Sequence, residues 1–219
     1  MRRKGATVKK TLFLIIILSL LIARCATDQT MTGSQESCEA PVWQVADFWR
    51  YQLEDKSGWM VQVAKVEKDL YIVDVPGDQY RHGFDPKTLQ FKTFVDAQGK
   101  KIAPPAESAL LYDFPLSVGK KWTKVIKVEP ETGPPQVYYY MYKVVSFEKV
   151  TVPAGRFNAF KVERELYTQN NQKTPTTITH IWYAPEAKNV VKYKSMRPEG
   201  DRSGIPRESF ELASYKLAG

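Results

Sequence analysis

Residues 138–163 read YYYMYKVVSFEKVTVPAGRFNAFKVE. Successive side chains of a strand point to opposite faces. Tyr138, Tyr140, Tyr142 and Val144 therefore share one face, and Tyr139, Met141, Val145 and Phe147 the other. Both sets are aromatic or apolar. Such a strand is either central and covered on both sides by cross-strand aromatic pairs, or it turns one face into an apolar cavity. Val152-Pro153-Ala154-Gly155 then reads as a tight turn, in which Pro153 pre-sets the first central φ and Gly155 closes the loop. The stretch is strand, turn, strand.

The same text continues on both sides. From Trp43 onward, runs rich in Val, Ile, Tyr, Phe, Trp and Thr alternate with Gly, Pro, Asp and Asn punctuation. The spacing predicts strands over 46–54, 59–66, 69–75, 80–84, 89–95, 121–129, 136–149, 157–167, 175–183, 189–196 and 207–217. Turn signals such as Asp55-Lys56-Ser57-Gly58, Pro76-Gly77 and Glu199-Gly200 fall between them. The expected architecture is all-β: an antiparallel meander forming a strongly curved sheet, half-barrel or barrel, with one or two short helices. Those helices are placed at about 41–48 and at 104–112 (PPAESALLY), where an early Pro precedes good helix formers. Trp49 and Trp122 each lead a strand followed by a Gly-containing turn and another strand. This weak internal repeat fits two similar layers within a single domain, 42–219.

The chain has 219 residues and a formal net charge of +8, from 32 Lys plus Arg against 24 Asp plus Glu. That charge alone would point to nucleic acid or an anionic membrane. Arg2, Arg3, Lys4, Lys9 and Lys10 crowd the start, however, and the run TLFLIIILSLLIA fills 11–23. A basic segment followed by a short apolar run is a secretory signal; a membrane span wants about 20 apolar residues. Without residues 1–24 the chain keeps 26 basic and 24 acidic residues, a net charge near +2. The argument for nucleic acid leaves with the signal peptide.

Leu21-Ile22-Ala23-Arg24-Cys25 resembles the lipobox of bacterial lipoproteins. Ile22 and Ala23 suit it; Arg24 departs from the usual Gly, Ala or Ser. The resemblance implies a lipidated Cys25 that holds the protein to a membrane through acyl chains, each buried methylene contributing about 0.8 kcal/mol. Ordinary cleavage after Cys25, releasing a soluble exported protein, and an uncut anchor are the alternatives. Ala26 after Cys25 resembles lipoproteins sorted to the outer membrane and facing the periplasm. Residues 26–41 read as a flexible tether with a reach of roughly 20 Å. Cys38 lies in it as an unpaired thiol, its pKa raised by Glu36 and Glu39.

Little in the chain promises catalysis. The histidines are His82 and His180; His180 shares a strand face with Ile178 and Trp182. There is no H-E-x-x-H, G-x-S-x-G or G-x-G-x-x-G. Ser117-Val118-Gly119-Lys120 lacks the companions of an S-x-x-K hydrolase. Two cysteines cannot build a disulfide framework or a four-cysteine zinc site. No catalytic residue, metal ligand or cofactor is expected; convergence of His180 with two carboxylates in a cleft would reverse that.

Glu148–Glu163, with Val152-Pro153-Ala154-Gly155-Arg156-Phe157 at its centre, resembles the TapB-like family of exported bacterial lipoproteins. Phe114-Pro115-Leu116-Ser117-Val118-Gly119-Lys120-Lys121-Trp122, Trp182-Tyr183-Ala184-Pro185 with Asn189–Tyr193, and Leu212–Leu217 also fit. The resemblance covers roughly 110–217 and implies an all-β envelope domain; it brings no catalytic residue. The resulting expectation is a lipid-anchored, non-enzymatic envelope protein that binds an apolar ligand. Tyr138, Tyr140, Tyr142, Ile178 and Trp182 would line the site. The alternative is an envelope scaffold that meets a partner protein through exposed Trp59, Tyr80 and Phe84. Palmitate labelling in cells is expected to mark the wild-type chain and to be lost in Cys25→Ser; unchanged labelling would refute lipidation at this residue.

Overall fold

The computed structural model describes residues 36–104, 112–130, 132–196 and 209–219. The signal peptide, Cys25, most of the tether, residues 105–111 of the second expected helix and the turn at Glu199-Gly200 lie outside the described residues. All eleven predicted strands are present. In chain order the strands are β1 (Ser37–Cys38), β2 (Phe48–Leu53), β3 (Gly58–Glu67), β4 (Leu70–Asp74), β5 (Arg81–Phe84), β6 (Phe91–Val95) and β7 (Lys101–Ile102). Then come β8 (Leu116–Ser117), β9 (Lys121–Val128), β10 (Gln136–Val152), β11 (Gly155–Thr168), β12 (Thr177–Ala184), β13 (Asn189–Met196) and β14 (Ser209–Lys216).

Twelve of them form one antiparallel sheet, in the order β7-β6-β5-β4-β3-β2-β14-β13-β12-β11-β10-β9. Two meanders, β2–β7 and β9–β14, meet where the first strand of one pairs with the last strand of the other. The sheet is open among the described residues, with β7 and β9 as its edges, so it curves without becoming a barrel. The Trp49 and Trp122 strands each open one meander. They take different places, β2 at the join and β9 at an edge.

The helix expected at 41–48 is absent: a turn at Val45-Ala46 leads directly into β2. Asp47 explains this. Its side chain is fully buried. It accepts hydrogen bonds from the Gln44 N–H at 2.9 Å and the Ala218 N–H at 2.7 Å, and the Lys188 ammonium lies 3.5 Å away. Binding Gln44 folds a tight turn in place of a helix, with Ala46 in the left-handed region at φ 74°. The tether also ends earlier than expected. Ser37 and Cys38 pair with Ser117 and Leu116 of β8, and the Tyr71 hydroxyl donates to the Pro41 carbonyl at 3.1 Å.

One face of the sheet, here called the inner, carries Trp49, Tyr51, Val63 and Val73 from the first meander. It carries Tyr142, Val144, Val162, Ile181, Tyr183 and Leu212 from the second, and all of these are buried in one core. In β10 the register shifts between Val144 and Ser146. The bulge moves Phe147 to the same face as Tyr142, where it packs on Phe160 at 4.6 Å, and not to the Met141 face as strict alternation requires. Met141 is 48% exposed, so β10 is not covered on both sides. Beyond the bulge the buried side switches: Val150, Val152, Phe157 and Ala159 are buried, while Lys149, Thr151, Arg156 and Asn158 are exposed. A bulge strengthens local twist. The hairpin tip accordingly lies on β14, with the Ala154 N–H donating to the Leu212 carbonyl at 3.0 Å and Phe157 against Tyr215. Gly155 takes φ 138°, which only glycine adopts readily.

Removing the Asp47 carboxylate would leave two backbone N–H groups and the Lys188 ammonium without their acceptor. Asp47→Ala is expected to lower unfolding stability by about 3 kcal/mol. Urea denaturation measures it; a loss below about 1 kcal/mol would contradict the clamp.

Candidate ligand site

The inner face holds an apolar hollow of about 190 Å³, with walls from β2, β3, β4, β5, β14 and the start of β13. Trp43, Trp49, Tyr51, Trp59, Tyr112 and Phe210 supply its aromatic surface. Their arrangement follows from strand period and register. Trp49 and Tyr51 are two apart on β2; Tyr51 faces Trp59 across the β2–β3 pair and Leu212 across the β14 pair. The rings interlock: Tyr51 stacks on Trp59 at 5.3 Å, and Phe210 meets both edge-on at 5.2 and 5.0 Å. Trp43 packs on Trp49 at 5.0 Å and on Tyr71 at 5.1 Å.

Polar ends of this wall are tied to backbone. The Trp49 indole N–H donates to the Ala187 carbonyl at 2.7 Å and that of Trp43 to the Lys188 carbonyl at 2.8 Å. The Tyr51 hydroxyl donates to the Val190 carbonyl at 3.1 Å. Burial pushes the Tyr51 phenol far above its ordinary pKa, and Tyr112 adds to the effect. The acceptors all belong to residues 187–190, where Lys188 adopts a left-handed φ of 54°. With the polar atoms turned to backbone, the ring faces are left to the hollow. The Tyr112 hydroxyl is different: it is buried, lines the same wall and has no hydrogen-bond partner among the described residues. A second hollow of about 340 Å³ beside Lys56, Lys192 and Lys194 is lined largely by charged groups, which suits water better than an apolar guest.

The residues expected to line a site divide between the two faces. Tyr140 and Tyr142 pair with Leu166 and Arg164 of β11, and Tyr138 with Thr168. Ile178 and Trp182 pair with Glu165 and Lys161. Even-numbered positions of this part of β11 face inward and odd-numbered ones outward, so the three tyrosines and the Ile178/Trp182 pair lie on opposite sides of the sheet. Tyr142 is buried and stacks on Trp122 at 5.0 Å with the rings 3° from parallel. Tyr140 lies against the Arg164 guanidinium, 5.8 Å from its carbon. The Tyr138 hydroxyl bonds the Gln136 side chain. Trp59 and Phe84, expected to face a partner, line the hollow instead. Tyr80 is half-buried against Phe94 at 5.6 Å. Period-two alternation of Trp49 with Tyr51, and of Trp59 with Val61 and Val63, was the signal available for the hollow.

On the outer face, His180 reaches the Glu163 carboxylate at 3.1 Å. The Trp182 indole N–H donates to Glu148 at 2.8 Å and the Ser146 hydroxyl donates to it at 2.7 Å. These two bonds, Trp182 first, hold the Glu148 carboxyl below the usual range. Lys161 and Lys192 flank the Trp182 ring at 5.3 and 5.7 Å. The group is spread over strands β10 to β13. Among the described residues no cluster of three or more His, Cys, Asp or Glu could hold a metal ion.

No protein-family model matches the chain and no curated protein matches its sequence, so neither adds support for the TapB-like resemblance. Among solved structures, a candidate lipoprotein of Parabacteroides distasonis is 13% identical, with 83% of this chain and 100% of that one covered and a TM-score of 0.47. A candidate exported protein of Bacteroides fragilis, described as having a YmcC-like fold, is 15% identical over 83% and 100%, with a TM-score of 0.38. The hypothetical lipoprotein YmcC of Escherichia coli is 9% identical over 81% and 89%, with a TM-score of 0.44.

Cys38 is half-buried beside this core, and desolvation, helped by Glu39, pushes its thiol up to about 11. Its thiolate fraction at pH 8 is therefore expected to be roughly a hundredfold below that of an ordinary cysteine. Alkylation at pH 8, followed by site-resolved mass spectrometry, should be slower by a comparable factor in the native chain than in urea. Equal rates would contradict the burial of this thiol.

Proposed function

We propose that this chain is an exported, lipid-anchored envelope protein that binds a small apolar ligand within the inner face of its sheet and catalyses no reaction. The observation that carries the reading is the aromatic hollow of about 190 Å³, where the polar atoms of Trp43, Trp49 and Tyr51 are tied to backbone and the wall left to the guest is largely apolar. The volume corresponds to about six water molecules at liquid density, enough for a short acyl chain or a single ring system. An apolar hollow of this kind gains by accepting an apolar guest, which removes ring surface from water. The basic leader, the short apolar run and the lipobox-like Cys25 support export and anchoring, and Ala26 supports an outer-membrane destination facing the periplasm. The small charge of the mature chain supports a membrane contact through acyl chains and no nucleic-acid partner. The inward placement of Trp59 and Phe84 favours ligand binding over the scaffold alternative.

The wall tryptophans report on the site. 1-Bromohexane is expected to quench the fluorescence of the full-length chain saturably, through heavy-atom contact with Trp43, Trp49 and Trp59. Val61→Phe, which fills the hollow from a half-buried wall position, should abolish saturable quenching while retaining the far-ultraviolet dichroism of the wild type. Quenching that is absent from the wild type, or that persists in a folded Val61→Phe, would overturn the proposal.

A further inference from the structure

Arg164 is half-buried on the inner face. Its guanidinium donates to the Tyr193 hydroxyl at 2.8 Å and to Thr179 Oγ1 at 3.2 Å. It lies against the rings of Tyr140 and Tyr193, each 5.8 Å away, and reaches the Tyr142 hydroxyl. Every one of these partners is neutral. Its sequence neighbours Glu163 and Glu165 are committed on the other side, to His180 and to the Tyr167 hydroxyl. Among the described residues no carboxylate lies within 4.0 Å of Arg164. Three other half-buried cations have one: Lys188 has Asp47, Lys192 has Glu211 and Lys120 has Asp113, while Lys161 lies over the Trp182 ring. A cation removed from water without a counter-charge is unfavourable, and its N–H fork matches a carboxylate or phosphate.

Three buried donors on this face have no acceptor among the described residues, the Tyr112 and Tyr183 hydroxyls and the Trp122 indole N–H, and of these Tyr112 and Trp122 lie toward the Arg164 group. Tyr112 feels Arg164, Tyr142 and Tyr193 electrostatically, and it also lines the apolar hollow. Trp122 stacks on Tyr142. Phe210 forms a second bridge, lining the hollow while stacking on Tyr193 at 4.9 Å with the rings 4° from parallel. A cation with only neutral partners and two orphaned donors thus adjoin an apolar hollow through Tyr112, Tyr193 and Phe210.

We propose that the ligand is an amphiphile with a single anionic head, a carboxylate or a phosphate ester, whose apolar part fills the aromatic hollow and whose head is held by Arg164. This rests on the apolar-ligand reading and adds the head group to it. The head would neutralise Arg164 and offer acceptors to Tyr112 and Trp122. Arg164 then sets which apolar molecules are chosen, and the hollow sets how strongly they are held.

The test compares octanoate, octyl phosphate and octanol as competitors of 1-bromohexane on the full-length chain at pH 7.5. Octanoate, octyl phosphate or both should displace the probe at concentrations at least tenfold below that for octanol, and whichever does so names the head. In Arg164→Gln the anion-to-octanol ratio should fall to near one; Arg164→Lys, which keeps the charge, should retain part of it. Octanol displacing the probe as well as both anions do would overturn the head-group proposal and leave the apolar site standing. A ratio unchanged in a folded Arg164→Gln would also overturn it. Failure of all three to displace the probe would overturn both. The wild-type ratio alone decides the matter if the Arg164 variants do not fold.

Discussion

The pairing of β14 with β2 holds this molecule together. Each meander can form from local hairpins, but their inner faces share a core only because Phe210–Lys216 pairs with Phe48–Leu53. Asp47 sits at the head of that seam and binds Ala218, 171 residues away in sequence. It also approaches Lys188, whose loop supplies the carbonyls that hold the indoles of Trp43 and Trp49. One buried carboxylate therefore joins the first strand, the C-terminus and the back of the aromatic wall. Trp49, fully buried at the same place, adds the apolar counterpart; replacement of a buried Trp by Ala typically costs about 3–5 kcal/mol.

The seam also explains the chemical division of the sheet. Inward, the strands present interlocked rings, a hollow and the Arg164 guanidinium. Outward they present paired charges, such as Lys192 with Glu211 and His180 with Glu163, that remain in contact with water. Exposed pairs of this kind contribute little to stability. Their effect is to keep much of the outer face polar, so that most of the apolar surface lies on the inner side up to the β10 bulge. The β10 bulge at Val145 serves the same end, since the added twist brings the hairpin tip onto β14 and extends the apolar cover beyond the strands that pair directly.

Much of this was legible in local pattern. The eleven longer strands follow from β-branched and aromatic runs bounded by turn residues, and Pro153 to Gly155 marks the hairpin correctly. The short strands β1, β7 and β8 carry too few residues for any period to register. Asp47 defeats the helix reading of 41–48 because its buried partners lie far away in sequence. Alternation places Tyr138, Tyr140 and Tyr142 together, and likewise Ile178 with Trp182. It cannot say whether two strands present those sets to the same side, because that depends on the β10–β11 and β11–β12 registers. The hollow was harder still. Its walls come from β2, β3, β4, β5, β13 and β14, and only the non-local seam brings Phe210 against Tyr51 and Trp59.

The furnished hollow on the inner face, read with the proposed export of the chain, leads to one expectation: the hollow is occupied in the cell. Untargeted mass spectrometry of small molecules carried by the full-length protein, extracted gently from its own envelope, tests this most directly. The account predicts one class of apolar compound in near-equimolar amount with the wild type, and its loss from folded Val61→Phe purified in parallel. A wild-type preparation carrying nothing beyond what the filled variant carries would contradict it.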